Sequence, residues 1–128
     1  MTPTAVLDAS AVVALAHNEP GADAVAPRVD GACISTVNWS EVARVSVAVG
    51  RDPADLHALL VDAGCQTIDF TVDDATLAAR LWESTRDEGL SLADRACLAL
   101  AKRLGIPALT ADRAWTRLDV GVEVIAIR

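Results

Sequence analysis

The sequence predicts an α/β fold, a three-layer α/β/α sandwich around a central, mainly parallel sheet. Two observations carry this. Short apolar runs ending in turn residues alternate along the whole chain with segments of helical periodicity, the pattern of strand–helix–strand crossovers. Apolar residues make up 52% of the chain while aromatics are only 3%, with no Tyr. Ala, Val and Leu must therefore fill the core, which suits helices laid on a short buried sheet. A length of 128 residues, without linker, low-complexity tract or repeat, reads as one domain over 1–128.

The elements follow in order. Residues 4–7 are a short apolar run ending at Asp8 and predict a buried first strand. Ser10 is positioned to cap a helix over 11–16, which Asn18-Glu19-Pro20-Gly21 breaks. A second helical stretch covers 22–29. Residues 32–35 predict the second strand, and a helix follows from Thr36 to Val49, stopped by Gly50. Asp52 before Pro53 is an N-cap with Pro at the first helical position; that helix runs to Ala63 and ends at Gly64. The third strand is placed at 67–70. Thr71 and Asp74 form a capping box for a helix that carries Leu77, Ala78, Leu81 and Trp82 on one face. Asp73, Asp74, Glu83, Asp87 and Glu88 read as its solvated side. Ser91 opens a helix with Leu92, Ala96, Ala99, Leu100 and Leu104 at helical spacing, ended by Gly105. Residues 108–110 predict a fourth strand, 113–118 a short helix, and 122–127 an edge strand.

The net charge is −7, unlike the basic surface of a free-standing nucleic-acid binder. It leaves a basic partner, a metal-neutralised acidic site, or solubility alone. Cys33, Cys65 and Cys97 have no metal-ligand spacing and read as small buried residues in a reducing compartment. No basic leader or cleavage site opens the chain, and no apolar run approaches membrane-spanning length, so a cytoplasmic protein with no membrane association is expected.

The candidate site residues are Asp8, Glu41, Asp94 and Asp112, four acids each set in an apolar or small-residue background. A carboxylate at the edge of an apolar element is costly unless water, a partner or a metal satisfies it. In a parallel sheet, ligands bind outside the carboxyl ends of the strands. Asp8 ends the first strand, Asp112 lies just past the fourth, and Glu41 lies in the first turns of the helix after the second. If the helix begun by Ser91 starts at the same edge, Asp94 joins them. Each acid has a local explanation too: Asp8 and Asp94 as caps, Glu41 as a solvated helix residue, Asp112 as a turn residue. Those explanations do not account for all four falling at one edge.

Converging carboxylates repel, and one or two divalent ions, Mg²⁺ or Mn²⁺, are the simplest remedy. Such ions on carboxylates activate water and screen a phosphodiester during hydrolysis. Asp8, Glu41 and Asp94 would hold the first ion, and Asp112 would help or hold a weaker second. The hydroxyls of Ser10 and Thr110 are placed to orient a carboxylate or a water, or else to serve as a cap and a strand-end turn. Arg95 and Arg113 flank two of the acids and are candidates for substrate phosphates, or for pairing with a neighbouring acid. Other chemistries fit poorly. Aspartyl-phosphate chemistry wants a second Asp where Ser10 stands and a nearby Lys, yet Lys102 is the only Lys and lies away from this edge. His17 and His57 are also distant, and there is no Gly-rich phosphate loop.

The segments Val6-Leu7-Asp8-Ala9-Ser10, Ser40-Glu41, Leu90-Ser91-Leu92-Ala93-Asp94-Arg95-Ala96-Cys97, and Leu109-Thr110-Ala111-Asp112-Arg113-Ala114-Trp115 together resemble the PIN-domain ribonucleases, and more narrowly the VapC toxins of VapBC toxin–antitoxin pairs. The resemblance spans nearly the whole chain. It implies a PIN-like sandwich and Mg²⁺- or Mn²⁺-dependent endoribonuclease activity on structured RNA such as tRNA or ribosomal RNA. Asp8, Glu41, Asp94 and Asp112 take the family's acidic positions, and Ser10 or Thr110 its small hydroxyl position. Some relatives place another acid shortly after the last one; here Ala114, Trp115 and Thr116 stand there. The resemblance also implies a homodimer and an antitoxin whose basic side chain enters the acidic site. The apolar faces of the helices over 38–49 and 54–63 are candidates for burial against a second subunit or the antitoxin, or against their own sheet alone. A non-catalytic PIN-like module that binds RNA or a regulatory partner is the alternative, and a DNA nuclease a weaker one.

Overall fold

Every strand is short, and the three central ones are buried along their whole length. The computed structural model describes residues 2–128. Strands β1 (Ala5–Leu7), β2 (Ala32–Ser35), β3 (Gln66–Ile68), β4 (Ala108–Thr110) and β5 (Val124–Ala126) form one sheet in the order β3-β2-β1-β4-β5. All four pairings are parallel. Burial on both faces explains why these strands read as continuous apolar runs.

Alternation along the strands sorts the core into two layers. Ala5, Leu7, Ala32, Ile34 and Leu109 pack on one face with residues of α1 (Ala9–Ala16), α2 (Ala22–Val25), α3 (Thr36–Ala48) and α4 (Pro53–Asp62). Val6, Cys33 and Ala108 point to the other face, against α5 (Val72–Thr85), α6 (Leu92–Leu104) and Trp115. This is the three-layer sandwich expected from the sequence. Trp115, Leu7, Ile34, Leu98, Leu100 and Leu109 are the largest fully buried side chains, each contributing about 1.5–3 kcal/mol by leaving water. The three cysteines are buried and unpaired. Among the described residues no helix is long and apolar enough to cross a membrane.

Helix ends follow local chemistry. Thr71–Asp74 and Ser91–Asp94 both form complete capping boxes. Asp52 caps α4 by accepting from the Ala54 amide at 2.9 Å. Gly105 ends α6 in the left-handed region, φ 67°, where a Cβ is strained.

Several expected boundaries and faces are corrected. The first helix begins at Ala9 with Asp8 at its N-cap position, so Ser10 lies inside the helix and cannot cap it; its hydroxyl donates to Asp8 instead. The stretch 22–29 is α-helical only to Val25 and tightens into a 3₁₀ turn over Ala26–Arg28, where Pro27 has no N–H to donate. β3 ends at Ile68, two residues early, and the Phe70 amide leaves the sheet to bond Thr36 Oγ1 at 3.0 Å. The segment 113–118 is a 3₁₀ turn over Arg113–Arg117, and the last strand shortens to Val124–Ala126. On α5, Trp82 is 50% exposed, so it lies outside the core stripe, whereas Asp74 is buried. Asp74 is neutralised by Arg103 of α6 through Nε at 2.5 Å and Nη2 at 3.2 Å.

Candidate active site

The strand order reverses between β1 and β4, so the crevice of this sheet opens at their carboxyl ends. Asp8 follows β1 directly and Thr110 ends β4. α3 starts where β2 stops, with Ser35 as its N-cap. α6 ends at Gly105, three residues before β4 begins at Ala108. It therefore runs back along the sheet, and its N-terminus, with Asp94, lies at the carboxyl edge. The condition on which convergence depended is met.

Asp8 is the centre of this edge. It is buried, and both carboxylate oxygens have partners. Oδ2 accepts from Ser10 Oγ at 2.6 Å and from Thr110 Oγ1 at 2.9 Å. Each hydroxyl in turn accepts a backbone N–H from the loop after β4, Ala111 N to Ser10 Oγ at 2.9 Å and Asp112 N to Thr110 Oγ1 at 3.0 Å. The two hydroxyls thus hold Asp8 to the segment that carries Asp112. Oδ1 accepts from Asn38 Nδ2 at 3.4 Å, and the same nitrogen donates to the Ala93 carbonyl at 3.0 Å. Burial pushes the Asp8 carboxyl above its ordinary 3.8, the hydroxyls of Ser10 and Thr110 pull it back, and the charge of Asp94 adds to the rise.

The other acids are placed differently. Asp94 is half-buried, and its Oδ2 accepts from the Ser91 amide at 2.9 Å. It is a cap and a neighbour of Asp8 at once, so the local and functional explanations do not compete. Asp112 is exposed and its Oδ1 caps the following 3₁₀ turn at Ala114 N, 3.1 Å. Glu41 is exposed on α3, three residues past Asn38 and so on the same helix face. Among the described residues, no three His, Cys, Asp or Glu side chains stand close enough together to hold an ion. The edge therefore brings Asp8, Ser10 and Thr110 into hydrogen-bond contact and carries Asp94 in the first turn of α6, while the side chains of Glu41 and Asp112 stand out in solvent.

Arg95 does not point at this edge. Its Nη1 donates to the Ala78 carbonyl of α5 at 3.0 Å and its Nε is buried without a partner; the residue after Asp94 is turned about 100° around the helix. Arg113 is exposed beside Asp112. Asn38 was not singled out from sequence. Its signal is a polar residue on the core side of α3, four before Val42, where helical spacing asks for an apolar one.

The donors here are all hard oxygens, which suits Mg²⁺ or Mn²⁺ and not a soft, thiol-seeking metal. Asn38 Oδ1 is buried without a hydrogen-bond partner, so the edge still has an acceptor to satisfy. In kind, the residues fit a hydrated divalent ion.

Comparison with known proteins gives one family. The PIN domain model matches residues 5–121. Among solved structures, a chain of a toxin–antitoxin complex from Klebsiella pneumoniae superposes with a TM-score of 0.77 at 20% identity, covering 98% of both chains. VapBC-5 from Mycobacterium tuberculosis, a member of the VapBC family of toxin–antitoxin systems, gives 0.60 at 25% identity, covering 97% of this chain and 99% of that one. VapC20 from the same organism, a toxin that cleaves the sarcin–ricin loop, gives 0.70 at 16% identity over 93% and 98%. A comparison with curated protein sequences returned no match.

Proposed function

The chain belongs to the PIN domain family, and from that premise we propose that it is a Mg²⁺- or Mn²⁺-dependent endoribonuclease toxin neutralised by a cognate antitoxin. The observation that carries the reading is the buried Asp8 at the β1–β4 crevice, with the charge of Asp94 acting on it. A carboxylate whose pKa is raised by burial, and further by the charge of a second acid, is one that a bound cation would stabilise in its ionised form.

A bound divalent ion would supply Lewis-acid activation of water and screening of the phosphodiester. The chain's own residues do the rest. Asp8 and Asp94 are the fixed donors. Ser10 and Thr110 orient Asp8 by donating to its Oδ2. Glu41, exposed on α3, would join Asp8 and Asp94 in holding a first ion, and Asp112, exposed at the 3₁₀ turn, would help hold that ion or a weaker second. Arg113 stands outside the acids, where a phosphate of the RNA would pass.

The antitoxin and a homodimer are part of the same proposal. The structural relatives include toxin–antitoxin complexes. Exposed Val47, Val49, Leu59 and Val61 on and beside α3 and α4 offer apolar surface for such partners. The net charge of −7 suits a partner with a basic side chain that enters the acidic edge.

Asp8→Asn and Asp94→Asn should each abolish cleavage of RNA and growth inhibition on expression, with circular dichroism unchanged. Full cleavage by either variant would sink the reading. Matched RNA and DNA substrates separate a ribonuclease from a DNA nuclease. The outward placement of Glu41 and Asp112 favours one second reading, a non-catalytic module that binds RNA or a regulatory partner. Calorimetry showing no Mn²⁺ or Mg²⁺ binding would select it.

A further inference from the structure

Asn38 is 0% exposed, and α3 delivers it between two elements that share no strand. Its Nδ2 spans Asp8 Oδ1 at 3.4 Å and the Ala93 carbonyl at 3.0 Å. Asp8 belongs to the end of β1, and Ala93 immediately precedes Asp94 in the first turn of α6. A single amide nitrogen therefore ties the carboxylate of one acid to the backbone that carries the other. The orientation of this amide is fixed by chemistry, because a backbone carbonyl only accepts and so requires the nitrogen to face it. Its Oδ1 is then left over. Of the three buried side-chain polar atoms without a partner among the described residues, Asn38 Oδ1, Arg95 Nε and Trp115 Nε1, it is the only acceptor. A buried acceptor on the amide that holds Asp8 asks for a donor from outside the chain, and water carried by a hydrated cation is one.

We propose that Asn38 is a positioning residue that ties the Asp8 carboxylate to the α6 turn carrying Asp94, so that the two acids can serve one divalent cation. This rests on the metal-dependent reading above. Asn38 reaches the ion through Asp8 and is not itself one of the acids that would ligate it. Two opposed demands meet at this point. Asp8 and Asp94 repel each other across the edge while no cation is bound. The neutral amide keeps α6 from backing away without adding a positive charge that would compete with the metal. Lys or Arg at the same place would bond the same acceptors but would neutralise the site.

Mn²⁺ is titrated calorimetrically into the folded wild-type protein and into Asn38→Ser and Asn38→Leu, below their melting temperatures. Leu keeps the branched shape at a larger volume and removes both polar atoms, while Ser keeps a hydroxyl too short to span both acceptors. Loss of such an orienting partner typically weakens metal binding about 10- to 100-fold, and that is the expected shift. In an Asp94→Asn background the same substitutions should cost much less, since the tie no longer serves two acids. An amide with a merely structural role would lower the melting temperature and leave Mn²⁺ affinity unchanged, which overturns the proposal while leaving the metal-dependent reading intact. Absence of Mn²⁺ binding to the wild type overturns both. A substitution-free measurement guards against misfolded variants. Substoichiometric Mn²⁺ should broaden the Asn38 side-chain amide resonance of the unaltered protein, and a signal left sharp at saturating Mn²⁺ overturns the proposal.

Discussion

Asp8 shows how one residue can be both a fold problem and a functional asset. Its backbone N–H bonds the Leu109 carbonyl at 2.9 Å, extending the β1–β4 ladder, so its position is fixed by the sheet. Its side chain is then buried at the crevice, and burial raises its pKa despite two hydroxyl bonds. The consequence for stability has a definite sign. Because the folded pKa lies above 3.8, the stability linked to the protonated form is complete below that value. It is lost as the pH rises through the folded pKa. In chelator, the wild type should therefore lose stability relative to Asp8→Asn as the pH is raised from about 4 toward neutrality. Added Mg²⁺ should restore the wild type and leave the variant almost unmoved, because a ligand that binds only the folded state stabilises it. Thermal unfolding of both proteins across that range, with and without Mg²⁺, checks this. A gap between them that stays constant with pH would show that Asp8 ionises in the fold as it does in the unfolded chain.

At the scale of elements, α5 and α6 form the pair on which Asp94 depends. Two cross-links set their register, Arg95 to the Ala78 carbonyl and Arg103 to Asp74. The second is asymmetric: the Asp74 side chain is 2% exposed and that of Arg103 37%. Removing the arginine strands a buried carboxylate, whereas removing the acid releases a guanidinium that can turn to water. Arg103→Met should cost about 2–3 kcal/mol and Asp74→Asn about 1 kcal/mol, Asn retaining an acceptor for the Thr71 amide. Urea unfolding ranks the two, and an equal or reversed order would refute the asymmetry. The same pair marks where sequence reasoning stopped. Strand and helix identities, both capping boxes and the Asp52 cap were legible because they rest on near-neighbour chemistry. So was the edge that gathers Asp8, Asp94, Ser10 and Thr110, because parallel connectivity fixes where each element starts. Asp74 looked solvated since its own segment carries four other acids, and only the arrival of Arg103 from α6 permits its burial. Asn38 and the turning of Arg95 toward α5 are likewise set by packing between elements distant in the chain, which no local pattern encodes.

At the scale of the whole molecule, the charge distribution constrains how the proposed RNA substrate would be held. Eleven basic residues face eighteen acidic ones, and several of the basic residues are already engaged: Arg103 with Asp74, Arg95 with Ala78, and Arg128 with Glu19 and Pro20. Arg86 lies over the ring of Trp82 at 5.9 Å. Arg113 stands next to Asp112. With a net charge of −7, neutralising a long run of RNA phosphates is disfavoured for a single chain. Under the proposed function the chain would instead recognise a folded RNA shape, with the scissile phosphate drawn in by divalent ions. This makes a quantitative demand on salt dependence. Each phosphate neutralised by a side chain steepens the fall of affinity with salt by roughly one logarithmic unit per unit, and proteins with 6–10 such contacts lose about a thousandfold or more between roughly 50 and 200 mM salt. For this chain, the log–log slope at fixed Mg²⁺ should be about −1 to −3, equivalent to one to three phosphate contacts. Fluorescence anisotropy of the wild-type protein with a structured RNA whose backbone resists cleavage measures it. If monovalent salt competes at only a few positions, replacing Arg113 with Gln should remove about one unit of the slope. A slope near −10 would mean that a basic surface is supplied by something other than this chain, and would assign RNA recognition to a partner.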